Sequence, residues 1–395
     1  METITKLGQI ACRLELGDYP PELEAYYQDS DAPGCDLELI CRLQETYGLF
    51  AEFYDTVVRT AEQINGDPDL NTWVRTAAKF YRENEKQLAD KLPVPDIGDD
   101  EVRNFMMLHI LMPTIPDGFA SMQARGFSWD EQEDMRLAYA GGMRIVEKQT
   151  GHPGVNKSYY SWLGIYARGQ IFKTEGFWFQ LRKFPPDVLW LRNRKTGDIM
   201  PLMGGTFCSD GSLLLGSKNA EDPTEAFAAE YSEDAENYYG HGCVESVTSR
   251  QKEVYPKIEW ECVGTPDMYC LGIHIPRNAD ISGEATLRTC RRGIEVARER
   301  FPEYGNISCI VGVCWLFNPK LKAILPGNSR ILQFQNCFTT YPHKDPKATA
   351  VFNFVFTRVP EKWEDLAEDS SLQRKLKQMY LDGDCLHVFG GGMFL

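Results

Sequence analysis

MYCLGIHIPRNADISGEATLRTCRRGIEVARERFPEYGNISCIVGVCWLFNPKLKAILPGNSRILQFQNCF, Met268–Phe338, is the stretch whose reading decides the fold. It opens with a strand, MYCLGIHI, apolar except for His274 at its end. A polar loop, PRNADISG, leads into a helix expected from Glu284 to about Arg300, with Leu287, Ile294, Val296 and Ala297 on its apolar side. A second apolar strand, ISCIVGVCWLF, a brief helix, PKLKAIL, and a third strand, RILQFQNCF, complete the unit. Continuous apolar strands around one amphipathic helix describe a crossover with both sheet faces covered. The loop before the helix is the natural seat for an anion, because a helix N-terminus presents unpaired N–H groups and the positive end of a dipole.

Working outward, 395 residues exceed one ordinary domain. The 42 basic residues against 57 acidic ones leave a net charge of −15, which argues against nucleic acid as the main partner. No apolar run is long enough to span a bilayer, and METITKLGQIACRLELGD lacks the basic-then-apolar layout of a signal peptide, so no membrane association and a cytoplasmic location are expected. The 12 cysteines are scattered without a C-x-x-C pair, the pattern of reduced thiols, with no zinc or other metal site expected.

Residues 1–150 read as a helical domain. Leu39, Ile40 and Leu43, then Leu49, Phe53 and Val57, fall at helical spacing, as do Trp73, Ala77, Phe80 and Tyr81. Asp99 and Asp100 start a helix in which His109 sits among apolar neighbours and reads as a core histidine. Ser128-Trp-Asp-Glu131 is a capping box, and its helix, carrying Met135, Leu137, Ala140 and Ile145, stops at Gly151. That stop sets the expected boundary, with residues 151–395 forming a second, mixed α and β domain. QIFKTEGFWFQLRKF reads as strand, DVLWLRNRKTGDIMPL as a hairpin, and KIEWECVGTPDMYCLGIHI as another hairpin. The acidic segment 216–240 reads as an exposed, partly helical insertion, ATAVFNFVFTR as one more strand, and FGGGMFL as a glycine-rich tail.

The order hairpin, strand, polar loop, helix, strand, short helix resembles the plan of a GNAT-type acyltransferase. The run Val313-Cys-Trp-Leu-Phe-Asn318-Pro-Lys-Leu321 resembles the end of that fold's fifth strand and the turn after it. WLGIYARGQIFKTEGFWFQL, GIHIP, VCWLFNP and LPGNSRILQFQNCF together are similar to a bacterial family with a helical N-acyltransferase N-terminal domain and a GNAT-like C-terminal domain. The fold class so implied is α+β, a helical domain followed by a GNAT-like mixed sheet with flanking helices. The resemblance implies acetyl-CoA or another acyl-CoA as cosubstrate and a small-molecule amine or peptide as acceptor. It places the pantetheine arm on the strand ending at Ile275, the pyrophosphate on the loop holding Arg277, Ser282 and Gly283, and a pantetheine contact at Asn318. The sequence departs from the family's phosphate loop at Asp280 and Ser282, where glycine or a small residue is usual. It also has Leu325 where many such enzymes place a tyrosine acid.

Among these residues His274 is a candidate general base for an attacking amine, or else a structural histidine. Cys314 is a candidate nucleophile, or else core. Ser282 is a candidate cap for the helix that follows, and Asn318 before Pro319 a cap for the short one. Three functions remain open at this point: acyl transfer to an amine by direct attack, a non-catalytic binding module on a GNAT-like fold, and an acyl hydrolase built on Cys314 and His274. Oligomeric state is unspecified.

Overall fold

The computed structural model describes residues 4–214, 225–344, 350–356 and 359–395. The chain forms two compact units, Met1–Phe172 and Lys173–Leu395. The first is helical: α1 Lys6–Arg13, α2 Leu37–Tyr47, α3 Tyr54–Gly66, α4 Pro68–Glu83, α5 Lys86–Ala89, α6 Glu101–Leu111, α7 Ile115–Ala124, α8 Glu133–Thr150 and α9 Lys157–Ala167. Local chemistry starts most of them. Thr5, Asp36, Asp67, Asp100 and Asn156 each accept a backbone N–H of the first turn, which would otherwise lack a partner. Pro68 follows Asp67 at the first helical position, where its fixed φ and missing N–H cost nothing. Gly48 and Gly151 end α2 and α8 in the left-handed conformation.

The apolar faces of these helices meet on Trp73, Phe80, Tyr81, Phe105, Phe119, Tyr139 and Tyr160, all fully buried. The Ser128–Glu131 capping box forms, with Glu131 N–H donating to Ser128 Oγ at 3.3 Å and Ser128 N–H to Glu131 Oε2 at 2.8 Å. The α-helix itself begins later, at Glu133, and buries Met135, Tyr139, Ala140, Met143 and Val146 while Leu137 and Ile145 face outward. His109 is buried, its Nε2 2.9 Å from Thr60 Oγ1, and burial holds its imidazole down at about 3. The division between units falls at 172/173, later than residue 150. The reason is that α9 packs against α6, α7 and α8; at Gly118 of α7 a Cβ would collide with the Ala167 carbonyl.

The second unit holds the strands: β1 Ile171–Thr174 (at the division), β2 Phe177–Lys183, β3 Val188–Asn193, β4 Ile199–Met203, β5 Gly205–Phe207, β6 Phe227–Ala229, β7 Ser232–Glu233, β8 Asn237–Val244, β9 Val247–Thr248, β10 Glu253–Pro256, β11 Trp260–Gly264, β12 Tyr269–His274, β13 Cys309–Cys314, β14 Thr339–Pro342 and β15 Phe389–Phe394. Its helices include α10 Gly283–Arg300, α11 Leu321–Ile324, α12 Arg330–Gln335 and α13 Ser371–Leu381. Among the described residues one sheet runs β1-β2-β12-β13-β15-β14 and another runs β10-β8-β4-β3-β11. β12 and β13 are parallel, joined through α10, as the crossover reading requires; their other neighbours are antiparallel.

Several expectations change. Trp260–His274 is not a hairpin: β11 pairs with β3 in one sheet and β12 with β2 and β13 in the other. The ladder of β11 breaks between Cys262 and Gly264, where a Cβ on Gly264 would lie 2.7 Å from the Phe184 ring. RILQFQNCF is no strand. Residues 330–335 are helical, burying Leu332, Phe334 and Gln335, and the Gln335 amide donates to the Leu316 and Asn318 carbonyls at 3.2 and 3.0 Å. The phenylalanines of 352–356 form a π-helical turn instead of a strand; Phe352 stacks on Trp363 while Phe354 is exposed. The rest of that expected strand, 348–349 and 357–358, lies outside the described residues, as do residues 216–224 of the acidic insertion. From 227 that insertion is strand, not helix.

The glycine-rich tail is β15, a strand between β13 and β14, paired with β13 from Cys309↔Phe394 to Cys314↔Phe389. Its glycines make room for large side chains. A Cβ on Gly390 would fall inside the Tyr341 ring, one on Gly391 2.7 Å from Phe317, and one on Gly392 2.6 Å from Trp190. Trp190 is fully buried and packs on Tyr341 and Phe394, with ring centroids 5.4 and 5.1 Å apart.

Candidate functional site

The parallel pair β12–β13 is in register only at Leu271↔Ile310 and Gly272↔Val311. Past those residues β12 stays paired with β2 through His274↔Trp178, and β13 with β15 through Cys314↔Phe389. Each strand is therefore held by its outer neighbour while the C-terminal halves part from each other. Over Gly312, where a Cβ would stand, lie Ile273 Cγ2 at 2.7 Å and the Phe317 ring at 2.9 Å. Parted parallel strands leave facing edges of backbone N–H and C=O groups outside the ladder, which a ligand with amide groups can complete as an added strand does.

His274 stands at the end of β12 beside this opening. Its Nε2 lies 3.0 Å from Gln180 Oε1 on β2; with the amide oxygen accepting, Nε2 carries the proton and Nδ1 keeps the lone pair. Burial first, and Arg182 second, lower the imidazole to about 4, so it is neutral at pH 7. Cys314 ends β13. Burial pushes its thiol up to about 12, against the opposing pull of the Leu316 and Phe317 backbone, so it is a protonated thiol at neutral pH.

The loop from Ile275 to Ser282 joins β12 to α10. Ile275 is half-buried and Arg277 is exposed. The expected cap by the Ser282 side chain does not form. Asp280 takes that place: its Oδ1 accepts the Ser282 N–H at 3.0 Å, and Gln333 Oε1 of α12 accepts the Gly283 N–H at 3.2 Å. The Ser282 N–H and hydroxyl, with Arg330 and Arg288 adding, hold the Asp280 carboxyl below the usual carboxylate range. The start of α10 thus already carries a negative charge. Arg288 lies 3.1 Å from Glu175 and Arg292 3.2 Å from Glu295, while Arg291 is exposed.

Asn318 is buried and its polar atoms are engaged. Oδ1 accepts the Lys320 N–H at 2.9 Å, starting the turn into α11, and Nδ2 donates to the His387 carbonyl at 2.9 Å. The structure thus places His274, Cys314 and the start of α10 around the C-terminal ends of β12 and β13, with Asn318 set into the support beneath. Sequence reasoning missed Gln180, Gln333 and Gln335, whose partners come from distant elements. Gln180 was visible only as a polar position in an aromatic strand.

With this geometry in place, comparison identifies the unit. Residues 218–393 match the model of the GNAT-like C-terminal domain. The chain carries a GNAT-like C-terminal domain. No curated protein matches by sequence. Solved structures of low identity share the fold over 99% of this chain and 100% of theirs. An acyltransferase variant in complex with octanoyl-CoA is 14% identical with a TM-score of 0.65. An acyltransferase in complex with decanoyl-CoA and teicoplanin is 15% identical with a TM-score of 0.63. One in complex with CoA and 10C-teicoplanin is 14% identical with a TM-score of 0.64. Among the described residues of the protein, no helix is long and apolar enough to cross a membrane.

Proposed function

We propose that the protein transfers an acyl group from an acyl-CoA to an amine on a small-molecule acceptor, by direct attack. The observation that carries this reading is the parting of β12 and β13 with a neutral imidazole at its lip. The pantetheine amides would complete the open strand edges near Ile275, and backbone N–H groups there would hold the thioester oxygen as charge develops on it. His274 with its low pKa is a weak base for a free ammonium. It can take the proton only after the amine nitrogen has bonded to the carbonyl carbon, which makes that N–H more acidic than a free ammonium. Because Asp280 occupies the start of α10, the pyrophosphate contact falls to Arg277 and the rim of the loop instead of the first helical N–H groups. The fold relatives solved with octanoyl- and decanoyl-CoA and with teicoplanin support a medium-length acyl chain and a small-molecule acceptor.

The test is thermal denaturation with acetyl-CoA, octanoyl-CoA, decanoyl-CoA and free CoA, followed by turnover with a panel of amines. A ligand at about 100 times its Kd adds roughly 2.7 kcal/mol, a shift of several degrees. His274→Ala is expected to lower kcat by about 10²- to 10⁴-fold with KM little changed. No midpoint shift with any CoA species removes the reading. Binding without turnover points to a second reading, a binding module, which the carboxylate of Asp280 at the helix start and Leu325 in the acid's place favour. Burial that keeps the Cys314 thiol protonated argues against the hydrolase reading.

A further inference from the structure

Cys385 and His387 lie in the segment between α13 and β15, and Cys385 Sγ is 3.0 Å from His387 Nε2. Both side chains are partly exposed. The backbone around the pair is fixed. The Asp384 carboxylate accepts the Cys385 N–H at 2.8 Å and is ion-paired with Lys320. The Asn318 amide donates to the His387 carbonyl at 2.9 Å, and Leu386 between the two is fully buried. Phe389 of β15 sits opposite Cys314, so His387, two residues earlier, lies beyond the C-terminal end of β13. That is the end of the sheet at which parallel β12 carries His274.

A thiol becomes a nucleophile when a base within hydrogen-bond reach takes its proton. Burial pushes Cys314 and Cys270 up to about 12, whereas Cys385 is partly open and faces an imidazole. Beyond Leu386 lies an aromatic pair. Tyr380, whose hydroxyl receives the Leu386 N–H at 3.5 Å, packs on Trp363 with ring centroids 5.0 Å apart. Trp363 and Leu381 are substantially exposed.

We propose that Cys385 is a site of self-acylation, a second acyl acceptor within the chain, with His387 as its base. The proposal rests on the acyl-CoA reading above. In the step, Cys385 Sγ bonds to the thioester carbonyl carbon and the bond from that carbon to the CoA sulfur breaks. The thiol proton passes to His387 Nε2 and then to the departing CoA thiolate, so one thioester replaces another and nothing is oxidised.

The experiment incubates the full chain with decanoyl-CoA at neutral pH and follows intact mass, then maps the modified peptide. Expected is a gain of one decanoyl group on Cys385, released by neutral hydroxylamine, absent in Cys385→Ser and formed at least about 10²-fold more slowly in His387→Gln. Labelling of Cys12 or Cys337 as fast as Cys385 overturns the proposal, and so does an unchanged rate in His387→Gln. No label while decanoyl-CoA still raises the melting midpoint removes self-acylation and leaves acyl-CoA binding standing. No label and no midpoint shift removes both.

Discussion

The helical unit and the sheet unit are built by opposite means. In the first, most helices are delimited by residues a few positions away: Asp36, Asp67 and Asp100 at starts, Gly48 and Gly151 at ends. In the second, the decisive neighbours are far apart in sequence. β13 finds its partner β15 about 80 residues later, and Trp190 packs over Gly392. The difference teaches where each unit is fragile. Local devices contribute small, separable amounts, whereas a strand admitted by the absence of a Cβ fails all at once.

The largest expected effect is therefore in the sheet. Gly390→Ala sets a methyl into the Tyr341 ring and should destabilise by about 3 kcal/mol or more, since the ring is buried and flanked by Trp190. The denaturant midpoint followed by near-UV circular dichroism measures it; a change under about 1 kcal/mol would mean that β15 is not clamped as described. Acid comes next and bears on both units. Folded His109 and His274 are held at about 3 and about 4, below the ordinary 6.5. An unfolded histidine gains a proton as pH falls through 6.5 while the folded one does not. Stability is thus complete above pH 6.5 and is lost below it, at up to about 1.4 kcal/mol per pH unit for each group, until the folded values are reached. Midpoints at pH 7 and pH 5 should show this loss, and His109→Gln should flatten the slope by one proton's worth. The smallest effect is local: Asp67→Ala in the helical unit should cost about 1 kcal/mol through the lost cap. An effect as large as that of Gly390→Ala would erase the contrast between the units.

The same contrast governs what the sequence discloses. The Met268–Arg300 strand, loop and helix were legible because their apolar runs and polar break are contiguous, and so was the buried state of His109. The Ser128–Glu131 box was legible because its two partners are three residues apart. β15 was not, because glycine is the poorest strand former and only the rings of Tyr341, Phe317 and Trp190 explain its use. The apparent hairpin at Thr265–Asp267 failed for a related reason: turn residues mark a change of direction, not which sheet receives the next strand. Residues 330–335 read as strand from apolarity alone, yet the short run after Pro326-Gly-Asn-Ser329 closes as a helical turn over Asn318. At the candidate site, His274 and Cys314 could be named from their strand ends. Their protonation could not, since it depends on burial and on Arg182, and the capping role of Asp280 was visible only as a departure from a pattern.

The position of β15 has a consequence for how the protein is made. Synthesis proceeds from the N-terminus, and every helix of the first unit has been made once residue 172 is clear of the ribosome. The sheet does not. Until residue 394 has emerged, β13 keeps an open edge and Trp190, Tyr341 and Phe317 lack the backbone they cover. A nascent chain paused between β13 and β15 carries a second half with an apolar strand open along one edge, the state in which chaperones and misassembly compete for it.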